Sequence, residues 1–244
     1  MLRTNFGWLA VTAVLIASPA VADVTVDYTI DAGGDNPNGP SGLSASAVFS
    51  VSGDQLSVLL INTSTGAPLG AEVSDSLLVS LGLNLLDGIT ILSGDSALIG
   101  SGSIGLGQWS GLAENDSVAE EWLWSNGGGG DLLGPFAQII STSSGLPGSG
   151  HLDFDGNRAS VSGPFGGIAA SPPILAVPDA QRAVSDSILF SLTLSGTLSE
   201  AQLSSIAMAS MVEFGSDFQY MTTPAPGALA LFGLALVAPR RRRG

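Results

Sequence analysis

Two stretches of this chain repeat with a period of two. Leu77, Val79, Leu81, Leu83 and Leu85 occupy every second position, with Ser80, Gly82 and Asn84 between them; Ile188, Phe190, Leu192 and Leu194 alternate in the same way around Ser191 and Thr193. Successive side chains of an extended strand point to opposite faces, whereas an amphipathic helix needs apolar residues every third or fourth position, so both stretches predict half-buried strands. Residues 24–30 alternate too and read as a first strand. Residues 45–51 and 55–62 predict two strands joined at Ser52-Gly53-Asp54, a hairpin signal. Residues 88–92 and 97–104 are shorter candidates, 136–142 is strand-like, and 208–214 is expected as the closing strand. The helical signal is Ser199-Glu200-Ala201-Gln202, a capping box that predicts one short helix from about 200 to 206.

Between these elements the chain is rich in Gly, Ser and Pro. Residues 31–42 read as a loop, 105–135 as irregular, and 143–173 as another loop-rich stretch; 119–124 fits either one helical turn or a short strand. No fixed-period repeat is present, which argues against a solenoid or propeller. Many short strands with turn signals predict an all-β, β-sandwich-like single domain with one short helix. With no cysteine in 244 residues, packing alone must hold that domain together.

Charge narrows the partners. The chain has 21 acidic residues, no lysine, and a formal net charge of −14. All the acidic residues lie between Asp23 and Asp217, and in that span the only cations are Arg158 and Arg182, so the central part is more acidic than the whole. Such a surface repels phosphate backbones and excludes nucleic acid as a partner. It suits a secreted protein, or one that collects divalent cations.

The two ends read as processing signals. Arg3, an apolar stretch from Phe6 to Ile16, Pro19 and the small-x-small site Ala20-Val21-Ala22 have the form of a secretory signal peptide, so residues 1–22 are expected to be removed by signal peptidase and the mature chain to begin at Asp23. At the other end Pro224-Ala225-Pro226 precedes an apolar run over 227–238, then Pro239 and Arg240-Arg241-Arg242-Arg243. That run is well short of the about 20 residues of a stable spanning helix. The arginines hold its end in the cytoplasm. The prolines leave an extended, accessible peptide at the outer face. The expected organisation is therefore a signal peptide over 1–22, an all-β exported domain over 23–221 and a sorting segment over 222–244.

This tail resembles the PEP-CTERM sorting signal of Gram-negative bacteria, which an exosortase-type transpeptidase recognises and cleaves. The usual tripeptide is Pro-Glu-Pro; here Ala225 takes the acidic position. The resemblance implies transient insertion in the inner membrane, processing near Pro224–Pro226, and delivery to the cell surface or the extracellular polysaccharide matrix. Asn62-Thr63-Ser64-Thr65-Gly66, the leucine-rich stretch 77–88, 145–167 and 199–218 with Phe218-Gln219-Tyr220 also resemble a recurrent passenger domain of PEP-CTERM proteins. That family carries no activity over to named residues.

Few residue patterns point to chemistry. Asp153-Phe154-Asp155-Gly156-Asn157 offers two carboxylates and an amide oxygen around a tight turn, the hard-oxygen set calcium prefers, or simply an Asp-Gly turn. Trp109, Trp122 and Trp124 suit a sugar-stacking platform or core packing. Gly94-Asp95-Ser96-Ala97 resembles an esterase serine block, but the chain's one histidine, His151, lacks the aspartate three residues before it. Gly100-Ser101-Gly102-Ser103-Ile104-Gly105 fits a dinucleotide fingerprint without the helix that chemistry needs, and reads as a turn. Glu120 and Glu121 are adjacent, too close in sequence to flank a glycosidic bond, and read as a solvated edge. The expected function is a non-enzymatic exported envelope or matrix protein. The alternatives are a secreted carbohydrate- or calcium-binding module and an uncharacterised hydrolase.

Overall fold

The computed structural model describes residues 22–29, 42–67, 70–127, 136–142, 152–154, 156, 166–215 and 219–222. Strands dominate, with one α-helix, so the fold is all-β. In chain order the strands are β1 Ala22–Thr29, β2 Ser44–Ser52, β3 Gln55–Asn62, β4 Leu78–Leu83, β5 Ile91–Ile99, β6 Gly105–Gly107, β7 Leu123–Ser125, β8 Gln138–Ser141, β9 Leu152–Asp153, β10 Gly166–Ala169, β11 Arg182–Ser185, β12 Ser187–Leu194, β13 Met211–Phe214 and β14 Gln219–Thr222. The helix α1, Glu200–Met208, lies between β12 and β13, and short 3-10 turns cover Ser74–Ser76 and Ala119–Glu121.

One sheet runs β1-β2-β3-β12-β5. The other runs β6-β11-β10-β4-β8-β7-β9, with β13 on the remaining edge of β4 and β14 beyond it. Apart from the parallel pair β10–β11, neighbours are antiparallel. Phe49, Leu56, Val58, Ile188, Phe190 and Leu192 of the first sheet share one buried cluster with Leu81, Ile140, Ile168, Val184, Val212 and Phe214 of the second. The β2–β3 hairpin closes as expected: Ser52 faces Gln55 across Gly53-Asp54, and Gly53 has φ 65°, the left-handed first position that a type II′ turn requires.

The leucine alternation forms β4, but not as a half-buried strand. All six of its residues are buried, because β4 has neighbours on both edges and cover on both faces. Nor do its apolar residues share one face. Phe214 pairs with Leu78 and Glu213 with Ser80, so Val79 is an extra residue in the ladder, a β-bulge. Leu77 and Val79 pack with Ala169 and Ala183 in a second cluster, while Leu81, Leu83 and Leu85 enter the main core. The bulge thus turns a sequence pattern that looks one-sided into contacts on two sides.

Other boundaries also move. The two strands expected over 88–92 and 97–104 are one edge strand, β5, whose register against β12 slips twice, leaving Asp95 and Leu92 without direct partners. Bulges of this kind blunt an exposed edge against pairing with other chains. The stretch 119–124 adopts both of its readings in turn, a 3-10 turn and then the start of β7. The capping box is present, with the Ser199 side chain and the Gln202 side chain each bonded to the other's backbone N–H, and α1 runs two residues further than expected because Leu203, Ile206 and Ala207 form a buried face. The closing strand consequently starts at Met211 rather than 208, and β14 follows it. β9 and β10 lie in the stretch expected as loop, and β11 lies where no element was expected.

Candidate functional site

Of the processing residues, Ala22 is described as the first residue of β1, opposite Val51. Ala20, Pro224, Ala225, Pro226 and Arg240, Arg241, Arg242 and Arg243 lie outside the described residues, as does His151. Among the described residues no helix is long and apolar enough to cross a membrane.

The calcium triad is only partly visible. Asp153 ends β9 opposite Leu123 and is buried; Asp155 and Asn157 lie outside the described residues. The turn itself forms: the Gly156 N–H donates to the Asp153 carbonyl at 3.0 Å, and Gly156 has φ 77°. Between them Phe154 is buried against Phe190, ring centroids 5.3 Å apart, which anchors the turn on the core. Among the described residues no group of three His, Cys, Asp or Glu side chains could hold a metal ion.

The tryptophans are core residues. Trp109, Trp122 and Trp124 are 8%, 0% and 6% exposed, so none offers a ring face to a sugar. Trp122 meets Phe190 edge-on at 4.8 Å. The indole N–H groups of Trp122 and Trp124 are buried with no hydrogen-bond partner among the described residues.

The esterase-like and dinucleotide-like patterns are structural. Gly94-Asp95-Ser96 lies within β5, not on the strand-to-helix turn where a nucleophile is exposed. Asp95 accepts from Ser93 Oγ at 2.6 Å and Thr193 Oγ1 at 2.7 Å, and Gly94 is required because a Cβ there would lie 2.5 Å from Trp124 Cδ1. Gly100 to Gly105 turn the chain from β5 into β6 with no helix following.

Glu120 and Glu121 do not behave as one solvated edge. The side chain of Glu120 is 60% exposed, that of Glu121 only 1%, and both carboxylates accept from Arg182 Nη1, at 3.3 and 3.1 Å. Gln108 Oε1 accepts from Arg182 Nε at 3.1 Å. The 3-10 turn directs the two adjacent side chains to the same guanidinium. The sequence signal was Arg182 itself: in a stretch with only two cations, each has many carboxylates to choose from.

Three polar clusters were not anticipated. At Asp186, φ 71°, the chain leaves β11 in one sheet and enters β12 in the other; there Ser187 Oγ donates to Asp186 Oδ2 at 3.1 Å and lies 3.0 Å from Ser103 Oγ. Asn62, the first residue of the Asn-Thr element, is 2% exposed. Its Nδ2 donates to the carbonyls of Ser76 at 3.0 Å and Ile168 at 2.7 Å, and its Oδ1 accepts from the Ser64 N–H at 3.1 Å. It thereby ties β3 to the 3-10 turn before β4 and to β10.

The third cluster crosses the second sheet. Tyr220, Glu213, Ser80 and Ser141 are directly opposite one another on β14, β13, β4 and β8. Ser80 Oγ and Ser141 Oγ are 2.8 Å apart, and Ser80 also hydrogen-bonds Glu213. Burial pushes the Glu213 carboxyl up from its ordinary 4.5 to about 7, the Ser80 bond opposing part of that rise. A carboxyl titrating near neutrality beside two hydroxyls is the chemistry of an acid–base site. Ser80 is 1% exposed and Ser141 0%, however, so no substrate reaches those hydroxyls in this conformation. Burial likewise raises the Tyr28 phenol, which bonds Ser210 at the end of α1. A groove of about 630 Å³ along α1, lined by Ser204, Ser205, Met208 and Ala209, carries no titratable side chain.

No protein-family model, no curated protein and no solved structure matches this chain.

Proposed function

We propose that the protein is a non-enzymatic exported component of the cell envelope or extracellular polysaccharide matrix: a β-sandwich-like passenger released by signal peptidase at one end and sorted by an exosortase-type transpeptidase at the other. The tail carries this reading. Pro224-Ala225-Pro226, the apolar run over 227–238 and Arg240–Arg243 stand in the order a sorting signal needs, accessible peptide first, marginal membrane segment next, cytoplasmic charge last. The strand layout supports it. Among the described residues pairing runs from Ala22 to Thr222, which faces Met211, so the strands described lie between the two proposed processing segments. Burial of the three tryptophans lends no support to an aromatic sugar platform.

Intact-mass measurement of the mature protein, produced in a host that has an exosortase, tests the proposal. The expected species begins at Asp23 and ends near Pro224–Pro226. Replacing the four arginines with Ser should leave unsorted precursor. A mature species still carrying Arg240–Arg243 refutes the reading.

A further inference from the structure

A solvated face of an antiparallel sheet is ordinarily polar. The outer face of the first sheet is not. The pairing registers set Thr25, Val48, Leu59, Leu189 and Leu98 side by side on β1, β2, β3, β12 and β5, so one row crosses the whole sheet and four of its members are aliphatic. These side chains point away from the core, since their neighbours along the strands, Phe49, Val58, Phe190 and Ala97 among them, are the fully buried ones. Leu189 is 36% exposed, Thr25 is exposed, and Val48, Leu59 and Leu98 are half-buried between adjacent strands. Beside this row runs a row of hydroxyls, Ser50, Ser57, Ser191 and Ser96, which ends in Asp23 on β1. Beyond the hydroxyls, Gln55 Nε2 donates to Thr193 Oγ1 and Thr193 Oγ1 donates to Asp95 Oδ2, each at 2.7 Å. The second sheet differs: its separate apolar cluster, Leu77, Val79, Ala169 and Ala183, is buried, with Leu106 and Val177 of the same chain packed against it.

We propose that this face is the interface of a homodimer, with a second copy of the chain packed on it sheet to sheet. Charge selects the occupant. β2, β3 and β12 carry no ionisable side chain, and the carboxylates of the first sheet, Asp23, Asp27 and Asp95, stand on its two edge strands. The chain carries a net charge of −14, so two copies repel each other over acidic surface and can approach across a neutral zone. A basic partner finds no charge to pair with in that zone. The face suits a partner made as it is made itself, aliphatic in the middle and hydroxyl-bearing beside it, which is the apolar centre and polar rim of a specific interface.

Symmetry and size agree with this. β3 is the middle strand of the five. A two-fold axis along β3 sets Leu59 against Leu59 of the second copy, Val48 against its Leu189 and Thr25 against its Leu98, with β1 over its β5. No carboxylate then lies over its own counterpart, whereas an axis along the aliphatic row would lay Asp23 over Asp27. With strands about 4.8 Å apart and residues of one face about 6.8 Å apart along each strand, four rows on five strands cover about 600 Å² per copy and about 1,200 Å² in the pair. That is the lower end of specific interfaces, so a Kd on the order of micromolar is expected. The dimer does not depend on how the two ends of the chain are processed.

Sedimentation equilibrium of the full chain tests this. The wild type should pass from monomer to dimer at concentrations on the order of micromolar. Leu189→Glu places an unpaired carboxylate in the contact and should weaken association on the order of 10²-fold. Ile104→Glu, at a residue 54% exposed just before β6 and outside this face, should leave association unchanged. Because the chain has no cysteine, Leu59→Cys supplies a single thiol at the axis. A bis-maleimide with a spacer of about 10 Å, the separation of packed sheets, should link two copies through it and should not link Ile104→Cys. A wild type that stays monomeric at about 100 µM, whether the face remains bare or takes up a polysaccharide, overturns the proposal. So does association that Leu189→Glu leaves intact, the result expected if the apolar run over 227–238 holds the copies together instead. Should Leu189→Glu fail to fold, absence of cross-linking through Leu59→Cys overturns it.

Discussion

Replacing Asn62 with Ala should be among the most damaging single changes in this domain, although it removes no apolar contact of any size. The side chain is 2% exposed and spends its hydrogen-bonding capacity on three backbone groups from three places in the chain: the carbonyls of Ser76 and Ile168 and the N–H of Ser64. Ala supplies none of these bonds and leaves a space too confined for free solvation. Each buried backbone group deprived of its partner costs about 1–3 kcal/mol. Relaxation lets some of the three find water, so a total of about 3–5 kcal/mol is expected, against the roughly 5–15 kcal/mol that holds a domain folded. With a urea m-value of about 2–3 kcal/mol/M for a chain of this size, the unfolding midpoint should fall by about 1.5 M with m unchanged. Thr63→Ala is the matched control: its hydroxyl bonds Ser44 Oγ at 2.9 Å in an exposed position, and its loss should stay within about 0.5 kcal/mol. Asn62→Asp keeps the volume but points a carboxylate at two carbonyls, and should be at least as destabilising as Ala. If Asn62→Ala moves the midpoint no further than Thr63→Ala does, the sheets are held by apolar packing alone and the clamp argument is wrong.

Two further outcomes follow from the same kind of geometry. Arg182→Ala removes the guanidinium from the Glu121 carboxylate, whose side chain is 1% exposed, and should cost about 2–4 kcal/mol, whereas Glu120→Ala removes only the exposed arm of the pair and should cost under about 1 kcal/mol; comparing the two urea midpoints checks it, and equal effects would mean that the buried arm contributes no more than the exposed one. Gly94→Val places side-chain carbon where Trp124 Cδ1 and Phe154 Cδ1 already stand, at 2.5 and 2.7 Å from a Cβ, and should lower Tm by several degrees with a change in near-UV CD from the displaced indole; an unchanged near-UV spectrum would show that β5 yields instead of the ring.

The sequence discloses most where a local signal and the tertiary context agree. The hairpin at Gly53-Asp54 needs one residue with left-handed φ and has a glycine there. The capping box at Ser199 needs only its own four residues. β12 alternates in sequence and in space because the bulges of the β5–β12 pair leave out residues of β5, so the β12 pattern is undisturbed. Where the two part, the reason is visible. β10 and β11 are strands because of what they pack against, not because of their propensity. Gly166 is needed where a Cβ would meet Glu121 Cγ at 2.8 Å, and Gly167 where it would meet Leu77 Cβ at 3.0 Å, so the glycines that argued for a loop are what let the backbone enter the sheet. At β4 the alternation was legible and its meaning was not, since one inserted residue at Val79 sends the first half of the pattern into a different cluster from the second.

The same contrast applies to the polar sites. Sequence reasoning looked for ligands and nucleophiles among residues that cluster along the chain, such as Glu120-Glu121 and Asp153 to Asn157. The groups that the fold brings together are far apart in sequence: Asn62 with Ile168, Ser103 with Ser187, Ser80 with Ser141 and Glu213. Composition explains why they take this form. A chain with no lysine, no cysteine and abundant serine has few cations to neutralise a buried acid and no disulfide to close a corner. Its interior polar chemistry is then built largely from hydroxyls, the amides of Asn62 and Gln138, and a few carboxyls. In such an interior the Glu121 carboxylate is bridged by Arg182. At Glu213, bonded to Ser80, burial pushes the carboxyl up to about 7. The scarcity of cations that first separated this chain from nucleic-acid binders thus also shapes its interior, where Arg182 is shared between two carboxylates.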